Sequence, residues 1–320
     1  MGTSNCRLFA GPIIIPPIIW REGNYIETLA THAGVKSMMQ LHGLHAKKRL
    51  GQHFLTDQHV LGKIIQAADI GAGDAVLEVG PGLGGLTQAL AGSAGHVYAV
   101  ELDAELIPVL SDIFRDIPNV TICQGDILGM DITSVFPGAQ SMSESLKAVA
   151  NLPYYITTPV IMHLLESGVP FKSIVVMVQK EVAKRLTAKP STKDYGALTL
   201  AVQYRANAQV VANVPRNCFL PRPEVDSAVV RLTPKTPAYG DSKLLFWIIR
   251  AAFGQRRKTL VNALFSGMND LQGPSVAKDT LIAAVRQCGF NEDVRGEALS
   301  LYGFIGLAKA LQSHMITKDT

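Results

Sequence analysis

The sequence predicts an α/β fold: a Rossmann-like, mostly parallel sheet followed by a small all-helical C-terminal domain. Three observations predict it. The apolar run Val76-Leu77-Glu78-Val79 ends in Gly80-Pro81-Gly82-Leu83-Gly84-Gly85 and passes into an alanine- and leucine-rich segment, the order of strand, tight loop and helix. Strand-like and helix-like stretches then alternate, and two further strands end in acids at Glu101 and Asp126. Beyond Thr233–Asp241, a stretch broken by Pro234, Pro237 and Gly240, only helical periodicity remains.

Composition sets the outer limits. The 320 residues are 48% hydrophobic and 18% charged, enough for a sizeable core, and the net charge of +4 permits a nucleic-acid partner without requiring one. Cys6, Cys123, Cys218 and Cys288 form no CxxC pair, so they are expected as reduced thiols in a cytoplasmic protein. His42, His45, His53 and His59 lie on a basic segment without a nearby cysteine or paired acid, and no metal site is expected. Leu8–Trp20 is apolar but 13 residues long and broken by Pro12, Pro16 and Pro17, short of the roughly 20 residues of a membrane helix. Residues 1–44 are expected as a disordered extension, 45–235 as the nucleotide-binding domain and 236–320 as a helical RNA-binding domain.

Taken in order, His45–Asp57 carries three consecutive cations, Lys47, Lys48 and Arg49, beside Phe54; such a run is ordinarily solvated, and its place before the nucleotide domain favours RNA. Gln58–Ile70 spaces Val60, Leu61, Ile64, Ile65 and Ala68 as a core helix with Asp57 as N-cap. Gly80 and Gly82 leave no side chain between backbone and ligand, and the helix after them offers unpaired N–H groups. His96–Glu101 reads as the second strand. Glu101 falls 21 residues after Gly80, the separation that sets an acid beside a ribose. Asn119–Gln124 reads as the third strand, and Asp126 is placed to accept from an adenine amine.

A fourth strand, Leu146–Ala150, runs into Asn151-Leu152-Pro153-Tyr154. Out of context this is a turn; at a strand end beside the nucleotide loop it has a chemical use. The exocyclic amine of adenine is a poor nucleophile because its lone pair is delocalised into the ring. The Asn151 amide oxygen and the carbonyl of Leu152 or Pro153, accepting its two N–H groups, favour a pyramidal nitrogen aimed at an electrophilic methyl. Tyr154 offers a ring for stacking and Phe219 a cover for the opposite face. Strands at 171–178, 209–214 and 225–232 complete the α/β part, the last two closing the sheet as a hairpin, and the basic helix around Lys180, Lys184, Arg185, Lys189 and Lys193 is either solvated or phosphate-facing. Phe253–Leu260 gathers Arg256, Arg257 and Lys258, whose mutual repulsion suits a phosphate partner. Gly80-x-Gly82-x-x-Gly85 also satisfies the dinucleotide fingerprint, but no constellation for hydride transfer follows it.

From about His45 to Ala310 the sequence resembles the bacterial small-subunit ribosomal RNA adenine dimethyltransferases, the KsgA/RsmA type. The resemblance rests on Gly51-Gln52-His53-Phe54-Leu55, the glycine loop, Glu101, Gly125-Asp126, Asn151-Leu152-Pro153-Tyr154, Phe219-x-Pro221-x-Pro223-x-Val225-Asp226-Ser227-Ala228-Val229 and Phe253-x-x-Arg256-Arg257-Lys258-Thr259-Leu260, all in order. It implies a seven-stranded S-adenosylmethionine-dependent methyltransferase sheet, and N6,N6-dimethylation of two adjacent adenosines in the loop of the 3′-terminal helix of 16S rRNA in the small subunit or its precursor. By the same resemblance, His53 and Leu55 flank the donor's methionine part, Gly80 underlies it, Glu101 with Leu102 meets the ribose side, Asp126 with Ile127 reads the adenine, and Asn151 lies beside the reactive methyl. Monomer is the family expectation, and neither a metal nor a membrane partner is expected. Lys47, Lys48, Arg49, Arg222, Arg256, Arg257 and Lys258 are the expected RNA contacts.

The sequence departs from the family at His53 and Tyr155, where asparagine is common, and at Arg295-Gly296-Glu297, usually Arg-Pro-Glu. Two other readings remain open at this point: the large-subunit adenine methyltransferases of the macrolide-resistance type, which share the loop and an Asn-x-Pro-aromatic motif, and an assembly factor whose binding outweighs its catalysis.

Overall fold

Asp74–Val79 (β1) is buried along its whole length and on both faces, its apolar residues being Ala75, Val76, Leu77 and Val79, as the middle of a parallel sheet requires. In the computed structural model, which describes residues 20–21, 24–25, 29–136, 145–240, 242–271 and 276–316, it lies at the centre of a seven-stranded sheet. The other strands are His96–Glu101 (β2), Val120–Gln124 (β3), Ser145–Asn151 (β4), Ser173–Gln179 (β5), Ala206–Val214 (β6) and Ser227–Pro234 (β7). Their order across the sheet is β3-β2-β1-β4-β5-β7-β6. The pairs β1/β2, β1/β4 and β2/β3 are parallel, with Val76 opposite Val97 and Lys147, whereas β7 runs antiparallel to β5 with Ser227 opposite Gln179. The strand order reverses between β1 and β4, so the carboxyl ends of these two strands flank the crevice where open α/β sheets bind ligands.

The contacts divide the chain into two compact units, residues 1–155 with 214–226, and 156–213 with 227–320. The first holds β1–β4 with His32–Leu41 (α1), Gln58–Ala68 (α2), Gly85–Ala91 (α3) and Leu106–Ile113 (α4). Asp57 caps α2 as expected, its Oδ1 accepting from the Val60 N–H at 3.1 Å. A two-stranded antiparallel pair joins Phe54–Leu55 to Phe219–Leu220, with Phe219 opposite Leu55.

Residues 29–44 are docked into the core, where the sequence suggested a disordered or weakly docked extension. Thr31 Oγ1 accepts from Gly34 N at 2.9 Å and starts α1, and Leu29, Val35 and Met38 are buried in one cluster with Phe54, Leu83, Leu110 and Phe114. The segment's apolar residues are few, but they share one helix face and find a partner in α4. The Leu8–Trp20 stretch lies outside the described residues apart from the backbone of Trp20.

The second unit holds β5–β7 with Thr157–Glu166 (α5), Lys180–Leu186 (α6), Ala197–Arg205 (α7), Ser242–Gly254 (α8), Leu260–Asp270 (α9), Lys278–Gln287 (α10) and Leu301–Ile316 (α11). Its core gathers Tyr195, Tyr204, Leu245, Ile248, Leu281 and Phe304. Among the described residues no helix is long and apolar enough to cross a membrane.

Candidate active site

The glycine loop can be followed from its backbone. Gly80, Gly82 and Gly84 all have positive φ (73°, 59° and 83°), a conformation open to glycine at little cost. A Cβ on Gly82 would come within 3.1 Å of the Phe54 ring, so the Gly51–Leu55 segment crosses directly over the loop. A Cβ on Gly80 would meet nothing nearer than the Asn151 carbonyl oxygen at 3.9 Å, and this leaves a backbone-floored cradle between β1 and β4.

Glu101 closes β2 and is held from two sides. Its Oε2 accepts from Gly82 N at 3.1 Å and its Oε1 from Asp103 N at 2.8 Å. Burial pushes its carboxyl above the usual range, and these N–H donors oppose the shift. Asp103 in turn binds Lys47 Nζ at 2.8 Å through Oδ1 and Gln52 Nε2 at 2.9 Å through Oδ2, while Gln52 Oε1 accepts from Lys47 N at 2.8 Å. Burial opposes ionisation of Asp103, but the bonds from Lys47 and Gln52 prevail and hold its carboxyl below the usual range. Lys47 also pairs with Glu105 at 2.8 Å, so it braces the 47–52 segment against the end of β2 and is not presented as a free cation.

Asn151 ends β4. Its Nδ2 donates to the His53 carbonyl at 3.1 Å, which orients the amide and points Oδ1 away from that bond. The His53 ring stacks on Tyr154 with centroids 5.7 Å apart and planes at 28°, and its Nδ1 donates to the Pro221 carbonyl at 2.8 Å. His53 thereby joins the loops that carry Asn151, Tyr154 and Pro221. Leu55 and Leu152 are buried, and Pro153 and Tyr154 are half-buried. Phe219 departs from the expected open ring: it is 2% exposed, drawn into the core by its strand pairing with Leu55.

Leu102 is exposed at the end of β2, and Asp126 is exposed after β3 with Oδ1 accepting from Leu128 N at 3.0 Å, while Ile127 beside it is buried. A third acid on this edge, expected there together with Glu101 and Asp126, is Glu78. Glu78 is fully buried with both carboxyl oxygens lacking a hydrogen-bond partner, and burial pushes it up to about 8, opposed by the neighbouring Thr87 hydroxyl and reinforced by Glu101. The signal that marks it is its position two residues before Gly80, among the apolar Val76, Leu77 and Val79.

Comparison with known proteins gives this arrangement a relationship. A model of the family described as "Ribosomal RNA adenine dimethylase" matches residues 43–292. The chain belongs to that family. The "Ribosomal RNA small subunit methyltransferase A" of Streptococcus pneumoniae serotype 2 (strain D39) is 45% identical over 287 residues, 89% of this chain and 98% of its own. Among solved structures, a dimethyladenosine transferase from Plasmodium falciparum matches with TM-score 0.69 and 29% identity, over 82% of this chain and 98% of its own. The 23S rRNA methyltransferase ErmE matches with TM-score 0.62 and 24% identity, over 81% and 99%, which establishes the fold.

As a member of this family the protein is an S-adenosylmethionine-dependent rRNA adenine dimethyltransferase. The residues present fit the donor. The open cradle over Gly80 accepts a chain without side-chain obstruction, and the preset Glu101 carboxylate keeps lone pairs for two hydroxyl groups.

In the second unit of this dimethylase, Arg257 and Lys258 are exposed as expected of RNA contacts, but Arg256 is not. Its Nε binds Glu297 Oε2 at 2.6 Å, and its Nη1 and Nη2 donate to the carbonyls of Lys193 and Thr192, each at 2.8 Å. Its fork thus holds a turn in place. In the same turn Ser191, at φ 64°, donates from its N–H to the Glu297 carbonyl at 2.8 Å. Lys48, Arg49 and Arg222 are exposed in the first unit.

Proposed function

We propose that this enzyme transfers methyl groups to N6 of two adjacent adenosines in the loop of the 3′-terminal helix of 16S rRNA, within the small subunit or its precursor, acting as a cytoplasmic monomer. The observation that carries the reading is the Asn151 amide: with Nδ2 committed to the His53 carbonyl, Oδ1 is the atom left to accept a proton-bearing donor at the end of β4. The 45% identity to a small-subunit methyltransferase of nearly the same length supports the choice of subunit.

The residues divide the work as follows. The target adenine leaves its stack and lies on Tyr154, where base–aromatic stacking contributes about 1–3 kcal/mol. Asn151 Oδ1 accepts one N6–H, and the carbonyl of Leu152 or Pro153 accepts the other. Both bonds strengthen as the nitrogen becomes pyramidal and its proton more acidic, so they favour the transition state over the ground state. When bound, the donor would supply an electrophilic methyl carbon on a sulfonium sulfur, which would keep the carbon–sulfur electron pair as N6 bonds to the carbon, and the surplus N6 proton would pass to solvent outside the cradle. Phe54 over the glycine loop and the buried Leu55 and Leu152 keep water away from the cradle.

The test incubates the protein with labelled methyl donor and either small subunits that lack the modification or isolated large subunits. Label recovered as N6,N6-dimethyladenosine from 16S rRNA is the expected result. Label confined to the large-subunit RNA would overturn the assignment.

A further inference from the structure

We propose that Tyr155 is a second stacking platform, which takes the base next to the flipped adenosine and so sets how the two adjacent target nucleotides enter the site. The inference rests on the reading of the substrate given above. Tyr155 is 55% exposed, unusual for a large aromatic side chain directly after a buried strand and a half-buried turn. One edge of its ring lies against Gly51: a Cβ there would sit 3.4 Å from Cδ1 and 3.6 Å from Cε1 of Tyr155. That contact steadies the ring while leaving more than half of the side chain to solvent.

The surroundings suit a nucleotide. Gly51 N donates to the Lys48 carbonyl at 3.0 Å and closes the short turn that carries Lys48 and Arg49. Both cations are exposed, and neither is in an ion pair among the described residues, whereas Lys47 in the same turn is tied to Asp103 and Glu105. An aromatic surface beside two free cations matches a base together with its phosphate. Tyr154, one residue earlier, turns its ring to His53, so the two rings offer separate surfaces from Cα atoms about 3.8 Å apart. Two neighbouring bases can then be held at once, one on each ring. Stacking tolerates any base, so this platform orients the strand without demanding a sequence.

The experiment compares Tyr155→Ala, Tyr155→Asn and Tyr155→Phe with the unaltered protein in three measurements: KM and kcat on unmodified small subunits, equilibrium binding of S-adenosylmethionine, and quenching of a single-stranded oligonucleotide carrying 2-aminopurine beside adenine. We expect the alanine and asparagine variants to raise KM for the subunit about tenfold and to weaken quenching, with donor binding unchanged, and the phenylalanine variant to behave like the parent. Unchanged KM and quenching in the alanine variant would overturn the proposal. So would a parallel loss of donor binding, which marks Tyr155 as packing for Gly51 alone. If the parent fails to methylate small subunits, the substrate assignment falls, and the oligonucleotide measurement still decides whether Tyr155 stacks a base.

Discussion

In the proposed reaction Asn151 has one amide to divide between two tasks: its nitrogen donates to the His53 carbonyl, and its oxygen is left for the substrate. Replacing it removes an acceptor that matters most in the transition state. Asn151→Ala is therefore expected to lower kcat by about 10²–10³-fold while the Kd for S-adenosylmethionine stays within about twofold, measured by single-turnover methylation and calorimetry. Glu78 makes a different prediction. Its carboxyl is raised from an ordinary value of 4.5 to about 8 by burial, so the folded protein binds a proton that the unfolded chain has released between those pH values. Stability from this group is then lost as pH rises through that window, by an amount on the order of a few kcal/mol. Glu78→Gln, neutral at every pH, should be more stable than the parent at pH 8 and lose that advantage near pH 5 in urea unfolding. A difference independent of pH would show that the carboxyl titrates normally.

The Lys47–Leu55 segment and the Lys189–Tyr195 turn are both tethered through side chains. The first is fastened to the end of β2 by Lys47 and Gln52 on Asp103, which lies two residues from Glu101. Hydrogen bonds thus link Glu101, the proposed ribose ligand, to the segment that crosses the glycine loop through Asp103. The second is fastened by Arg256, whose three donors reach Glu297 and two turn carbonyls. Arg256→Ala leaves those carbonyls and Glu297 without their cation, and a Tm several degrees lower is expected. Arg257→Ala, which removes an exposed cation, should leave Tm unchanged and reduce the salt dependence of rRNA binding by about one phosphate's worth. Equal effects of the two substitutions on Tm would contradict the distinct roles given to these neighbours.

The molecule also draws stability from a part of the chain that its composition does not advertise. Met38, 1% exposed on α1, packs in a cluster with Phe54 and Phe114, so Met38→Ala should cost about 2–5 kcal/mol in chemical unfolding, an amount a solvent-exposed helix would not show. Much of the architecture was legible beforehand: the strand–glycine–helix unit at 76–91, the acids at the ends of β2 and after β3, Asp57 as the α2 cap and the helical tail all follow from local periodicity and from where glycine and proline fall. The pairing of β6 with β7 was legible as a hairpin, but the insertion of β7 beside β5 was not, because that pairing joins residues some fifty positions apart and carries no local signature. The cations divide in the same way. Lys47, Lys48, Arg49, Arg256 and Arg257 look alike in sequence, yet Lys47 meets Asp103 and Arg256 meets Glu297 while the other three face solvent. By itself the sequence determined the fold class, the family motifs and the residue types available at the strand ends, since these depend on neighbours along the chain. Only the tertiary structure decided which charges are spent on holding the protein together, which way the Asn151 amide points and how Glu78 is buried, since each depends on groups brought close by folding.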